Sequence, residues 1–348
     1  MSATEDPAIG EVREGYAEIG DQRLHYVETG EGPLVVLLHG FPEFWYGWRQ
    51  QIQPLAAAGF RVVALDTRGY NLSSKPKGVK AYDIGLLAAD IRGLIRERGA
   101  ESALLVGHDW GGSIAWEIAM NHPEVVDRLA ILNAAHPRKL SQGLHHPGQL
   151  RKSWYFFFFD LPDLPEAVVH ADRWHFFRHF LRDARPAFTP EQTDRYIEAW
   201  SQPGAATAMI NYYRSSVRTP PKKAAAAIHP VKAPTLVIWG QRDRYLGEEL
   251  AEPDHDDVPN LDRVERLPDA SHWVHHDGAD RVTHGRRHLR TRQQPRPDAF
   301  PARPRPRRHP HHRRRLRTRV RDGARRAGFT RTRARPAASC APPQLLRM

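Results

Sequence analysis

The chain has 348 residues, 40% of them apolar and 26% charged, enough for one large α/β domain with an insertion or for two domains. Its single cysteine excludes a disulfide framework and a multi-cysteine zinc site. No apolar run approaches the roughly 20 residues of a membrane span. The formal charge of +12 averages two unlike parts. Residues 285–348 hold 21 Arg, no Lys and 2 acidic residues, a formal +19; the other 284 residues hold 31 Lys and Arg against 38 acidic residues, a formal −7. A mildly acidic globular part carries a very basic tail, and the two need separate readings. The first eleven residues are polar and acidic, without the apolar stretch of a secretory signal, so the expected location is the cytoplasm.

Residues 16–19 and 24–27 flank Gly20-Asp21, a turn dipeptide, and predict a hairpin. Short apolar runs at 34–38, 61–65 and 103–106 predict strands buried on both faces. Helical spacing occupies 48–58, 84–98 and 113–121, and residues 129–132, 235–239 and 264–267 add strand-like segments. This alternation predicts an α/β fold: a mostly parallel central sheet with helices on both faces. Residues 137–229 break the rhythm. They are rich in Trp, Phe, Tyr and His with no buried-strand run, and predict a helical lid inserted between two strands of a core made of 14–136 and 230–283. Such inserts often cover an active site.

Chemistry enters at Gly107-His108-Asp109-Trp110-Gly111-Gly112, a strand end, a sharp turn and a helix start. Gly-x-Asp-x-Gly has the spacing of a nucleophile elbow, with Asp where serine hydrolases carry Ser. A nucleophile on a strained turn needs small residues two before and two after it, so that strand and helix can approach. The helix N-terminus then faces the site and favours negative charge. The alternative for Asp109 is a plain helix N-cap. Two later segments bear on that choice. Gly240-Gln241-Arg242-Asp243 follows one strand, and Asp269-Ala270-Ser271-His272-Trp273 follows another. The order nucleophile, acid, histidine is that of the α/β-hydrolase triad.

With these motifs, residues 14–283 resemble the epoxide hydrolase branch of the α/β-hydrolases, close to haloalkane dehalogenases. The matching segments are His39-Gly40-Phe41-Pro42-Glu43 with Trp45 and Trp48, Asp66-Thr67-Arg68-Gly69-Tyr70, the Asp109 elbow, Trp239-Gly240-Gln241-Arg242-Asp243 and Ala270-Ser271-His272-Trp273. Within 137–229, Ser153-Trp154-Tyr155 with Phe156 to Phe159, and Asn211-Tyr212-Tyr213-Arg214, resemble the two lid segments that each supply one tyrosine to hold the epoxide oxygen. By position these are Tyr155 and Tyr213, with Tyr212 the weaker member of its pair. The resemblance implies attack by Asp109 on an epoxide carbon, proton donation by the two tyrosines, and hydrolysis of the ester by water activated by His272 and oriented by Asp243. It also implies oxyanion contacts from the backbone N–H groups of Phe41 and Trp110, a cis Phe41–Pro42 bond, and no metal or organic cofactor. His39 and His108 are expected to be structural. Trp154, Phe156 to Phe159 and Trp174 suggest an apolar lid pocket, with Trp154, Phe158 and Phe159 as its expected substrate contacts, hence a lipophilic or aromatic epoxide. The expected partners are that epoxide and water, with no membrane, as monomer or homodimer.

A haloalkane dehalogenase would use the same Asp, acid and His. It also needs a second N–H donor for the halide, and position 41 is Phe. The Arg/Pro-rich tail suggests nonspecific polyanion binding, with nucleic acid as a distant alternative. Its 21 Arg and 9 Pro without Lys also match an out-of-frame reading of GC-rich DNA, against an ordinary disordered basic tail.

Overall fold

The computed structural model describes residues 9–284. Residues 1–8 and the tail at 285–348 lie outside the described residues, as do the expectations of polyanion binding, disorder and frameshift that rest on the tail.

Eight strands form one sheet: β1 (Arg13–Ile19), β2 (Gln22–Thr29), β3 (Leu34–Leu38), β4 (Arg61–Leu65), β5 (Ala103–His108), β6 (Val126–Leu132), β7 (Thr235–Gly240) and β8 (Leu261–Leu267). Their spatial order is β1-β2-β4-β3-β5-β6-β7-β8. Only the β1–β2 and β2–β4 pairings are antiparallel; every pairing from β4 to β8 is parallel. The apolar runs Leu34–Leu38 and Ala103–His108 are buried throughout, as expected of strands covered on both faces.

The chain leaves β3 through α1 (Arg49–Ala57) toward β4, then returns through α2 (Ile84–Glu97) to β5 on the other side of β3 and continues through α3 (Trp110–Asn121) to β6. Right-handed crossovers that run in opposite directions place their helices on opposite faces of the sheet. Accordingly α2 and α3 pack together, while α1 packs with α12 (Val274–Asp277) and α13 (Ala279–His284). The direction reverses between β3 and β5, and in open α/β sheets the crevice at such a reversal, beyond the strand C-termini, is where sites form. Asp109 lies there.

Between neighbouring strands β6 and β7 the chain makes eight helices: α4 (Pro137–Gly143), α5 (Pro147–Lys152), α6 (Trp154–Asp160), α7 (Leu164–His170), α8 (His175–Leu181), α9 (Pro190–Trp200), α10 (Ala205–Arg218) and α11 (Pro221–Ala226). An aromatic cluster of α6, α8 and α10 packs on Phe41 at the end of β3. No helix among the described residues is long and apolar enough to cross a membrane.

Candidate active site

Asp109 follows β5 with φ +51° and ψ −118°, a strained backbone for a residue with a side chain. Surrounding glycines permit it. A Cβ on Gly111 would lie 2.1 Å from the Leu38 carbonyl oxygen, and one on Gly40 would lie 2.5 Å from Asp109 Cβ. Asp109 occupies the N-cap position of α3, but its side chain makes no capping hydrogen bond. Instead Oδ1 accepts the Phe41 N–H at 2.8 Å. The plain N-cap alternative therefore does not describe this side chain. The Phe41–Pro42 bond is cis, as the resemblance implied.

His272 and Asp243 come to the same place from the C-terminal ends of β8 and β7. His272 Nε2 lies 3.5 Å from Asp109 Oδ2, and its Nδ1–H donates to Asp243 Oδ2 at 2.7 Å. Asp243 is held by four donors. The N–H groups of Tyr245 and Leu246 reach Oδ1 at 2.7 and 2.9 Å. Asn133 Nδ2 joins His272 on Oδ2 at 2.7 Å. Burial alone lowers the pKa of His272; the charge and hydrogen bonds of Asp243 and Asp109 outweigh it and push the imidazole up to about 10. Burial alone raises Asp109; the hydrogen bond and charge of His272, with His108 and the Phe41 N–H, hold it below its ordinary value. The same opposition, led by His272 against burial, lowers Asp243. These mutual shifts favour an imidazolium between two carboxylates.

Tyr155 on α6 and Tyr213 on α10 are buried, their ring centroids 5.6 Å apart. Burial first, then the Asp109 charge, pushes both hydroxyls well above 10. They are protonated at neutral pH and within electrostatic reach of Asp109. The adjacent Tyr212 points elsewhere: its hydroxyl donates to the Arg68 carbonyl at 2.5 Å. Trp110, at the start of α3, sets its ring edge-on to Tyr213 at 5.2 Å.

The aromatic residues expected to line a pocket divide. Phe159 is fully buried and touches Phe41 and Tyr213, with centroids at 5.4 and 4.9 Å. Trp154 is 53% exposed. Residues four apart share a helix face: Tyr155 and Phe159 turn inward, while Trp154 and Phe158 share the next stripe and pack on Phe176. Trp174 is buried among helices, donating its indole N–H to Ser201 Oγ at 3.0 Å. A small cavity of about 20 Å³ lies against the α1 side of the sheet, lined by Leu37, Leu55, Val106, Leu236, Ile238 and Val282. None of the candidate catalytic side chains lines it, so it is separate from this chemistry.

Behind His272 lies a buried polar group that sequence reasoning did not assemble. His108 sets Nδ1 3.0 Å from Glu43 Oε2 and Nε2 3.0 Å from the His272 carbonyl. Glu43 Oε1 accepts from Tyr196 and meets His275 Nε2, each at 3.1 Å. Burial alone raises the Glu43 carboxyl; His275 and His108 overcome it and hold it well below its ordinary value. Among the described residues, Glu43, His108 and His275 are the side chains placed to share a metal ion, but their ligand atoms already engage one another. His39 is held by backbone groups: Nδ1 meets the Gly40 carbonyl and Nε2 accepts the Thr67 N–H. Asn133, the partner of Asp243, was also missed. Its only signal was a polar residue directly after a buried strand run.

A family model for the alpha/beta hydrolase fold matches residues 33–279. The chain is 44% identical over 261 residues to the AB hydrolase superfamily protein YfhM of Bacillus subtilis (strain 168), covering 73% of this chain and 89% of that one. It is 39% identical over 289 residues to epoxide hydrolase 4 of Homo sapiens, covering 80% and 78% of the two chains. Among solved structures, that of Bacillus megaterium epoxide hydrolase in complex with an inhibitor is similar with a TM-score of 0.72 at 32% identity, over 79% of this chain and 99% of that chain.

Proposed function

The chain belongs to the α/β-hydrolase fold family and is a hydrolase of its epoxide hydrolase group; from that premise we propose that it converts a lipophilic or aromatic epoxide and water to a vicinal diol through an ester on Asp109. In this reading, residues 137–229 are a lid over a core of 14–136 and 230–283. The observation that carries it is the Asp109–His272–Asp243 line, with separations of 3.5 and 2.7 Å, together with the buried pair Tyr155 and Tyr213, whose ring centroids lie 5.6 Å apart.

The order of steps follows from the charges. Asp109 is ionised and attacks an epoxide carbon, forming a C–O bond as the ring C–O bond breaks. Tyr155 and Tyr213 donate hydrogen bonds to the departing alkoxide, and one gives up its proton. Ester formation removes the Asp109 charge. That charge had raised both tyrosines and His272, so its loss makes the tyrosines stronger acids as the ring opens and releases the His272 proton to restore the tyrosine. The neutral imidazole then takes a proton from water, which attacks the ester carbonyl. Asp243 steadies the imidazolium. The N–H groups of Phe41 and Trp110 receive the oxyanion. Collapse frees the diol and regenerates the Asp109 carboxylate. The buried rings of Phe41, Phe159 and Tyr213 favour a lipophilic substrate.

The test is an intact-mass spectrum of the His272→Gln protein exposed to styrene oxide and, separately, to 1-bromobutane. Without its base, the ester accumulates. The expected adduct is the whole epoxide mass, absent in Asp109→Asn. An alkyl adduct seen only with the bromide would overturn the reading in favour of a dehalogenase.

A further inference from the structure

The loop that carries Asp243 turns tightly around its own carboxylate, because the N–H groups of Tyr245 and Leu246 both point inward at Oδ1. That geometry turns the loop's carbonyls outward, where each needs a donor. One turn of α5 supplies them. Gln149 Nε2 donates to the Tyr245 carbonyl at 2.8 Å and to Ser153 Oγ at 2.9 Å, and Gln149 Oε1 accepts the Gly247 N–H at 2.8 Å. Lys152 Nζ donates to the carbonyls of Asp243 and Leu246 at 2.9 and 3.1 Å. Gln149 and Ser153 are buried, so solvent does not replace these partners readily. Three residues past Lys152 in the chain, Tyr155 extends from α6. Its ring meets that of Tyr245 at 5.9 Å. The Tyr245 ring in turn sets its edge to His272 at 5.2 Å.

We propose that Gln149 and Lys152 are positioning residues that lock the Asp243 loop to α5, the turn that leads through Ser153 directly into the helix carrying Tyr155, so that the ring-opening donor and the water-activating pair are set by one clamp. The proposal rests on the epoxide-opening reading above. It differs from ordinary packing in one respect: loosening the clamp disturbs both chemical steps together, at Tyr155 and at the His272–Asp243 pair. A shift of about 1 Å in such groups is enough to cost on the order of a hundredfold in rate.

The experiment uses the full chain and the variants Gln149→Met, Lys152→Met and Lys152→Arg. Each reacts with styrene oxide in a single turnover, quenched and read by intact mass, which gives the rate constants for ester formation and ester decay. Decay is followed across pH. Both methionine variants are expected to lose about tenfold or more in both constants. The pH limb of decay is expected to move to lower pH, because Asp243 is what holds the His272 pKa up. Lys152→Arg, which keeps a cation and its donors, is expected to restore most of the loss. A variant that melts earlier yet keeps both constants and the pH limb would overturn the proposal, since the clamp would then be structural only. So would a loss confined to ester formation. If Gln149→Met does not fold, the half-buried Lys152 carries the test. No ester in the unsubstituted protein would overturn the epoxide-opening reading itself, a result distinct from these.

Discussion

At the C-terminal ends of β3 and β5 the backbone itself fixes the site. Gly40, Gly111 and the strained Asp109 turn approach so closely that a single added Cβ meets other main-chain or Asp109 atoms at 2.1–2.5 Å. Across the site, α6 and α10 place Tyr155 and Tyr213 through ring edges, with centroid contacts of 4.9–6.1 Å among Tyr155, Phe159, Tyr213 and Phe41. The first region admits almost no variation at a position. The second can exchange one ring for another and keep its volume. The difference separates two tasks: holding a reactive carboxylate in a strained turn, and shaping a pocket around a substrate.

The comparison is tested most severely at Asp109. Asp109→Asn keeps the shape of the turn but removes the nucleophile, and is expected to lower styrene oxide hydrolysis by about 10⁴-fold or more, measured as diol formed by folded protein. Next come the tyrosines. Tyr155→Phe and Tyr213→Phe, which keep the rings, are each expected to slow ester formation by about 10²-fold and to leave ester decay nearly unchanged; equal loss in both steps would break the division of labour. Tyr212→Phe, one position away, loses a hydrogen bond to Arg68, and is expected to cost about 1 kcal/mol of stability with little effect on rate. Gly111→Ala puts its methyl against the Leu38 carbonyl and is expected to destabilise the fold by about 1–3 kcal/mol, read from thermal or urea unfolding.

A pH prediction sharpens the electrostatic half. His272 has a folded pKa raised from its ordinary value near 6.5 to about 10. Its stabilising contribution is therefore fully present below about pH 6.5 and is lost as pH rises toward 10. The stability of the parent protein is expected to fall across that window relative to His272→Gln, measured by urea unfolding at several pH values. The smallest effect is reserved for Trp154→Ser. At 53% exposure and on the outer stripe of α6, it is expected to change stability by no more than about 0.5 kcal/mol and to leave turnover unchanged.

How much was legible depended on where each signal sat. Strands 34–38 and 61–65 read to the residue, because burial on both faces leaves continuous apolar runs. The last strand begins at Leu261 rather than 264, since its outer residues are exposed and polar, and an edge strand writes no such run. Helix α3 starts at Trp110, three residues before the expected start; Gly111 and Gly112 weaken the helical pattern at the point where the elbow requires a helix N-terminus. Composition marked Trp154 as aromatic without saying that it joins the outer stripe of α6.

By itself, the sequence determined the α/β alternation, the glycine-flanked Asp109 turn, and the chain order of Asp109, Asp243 and His272. Each is local: a run, a spacing or an order along one segment. Only the tertiary structure decided that Asn133 completes the Asp243 shell and that Glu43, His108 and His275 form one buried group. The same holds for Gln149 and Lys152, which close on a loop more than ninety residues away. Each of these contacts is a hydrogen bond between residues far apart in the chain. Its geometry exists only after the sheet has brought the strand ends together.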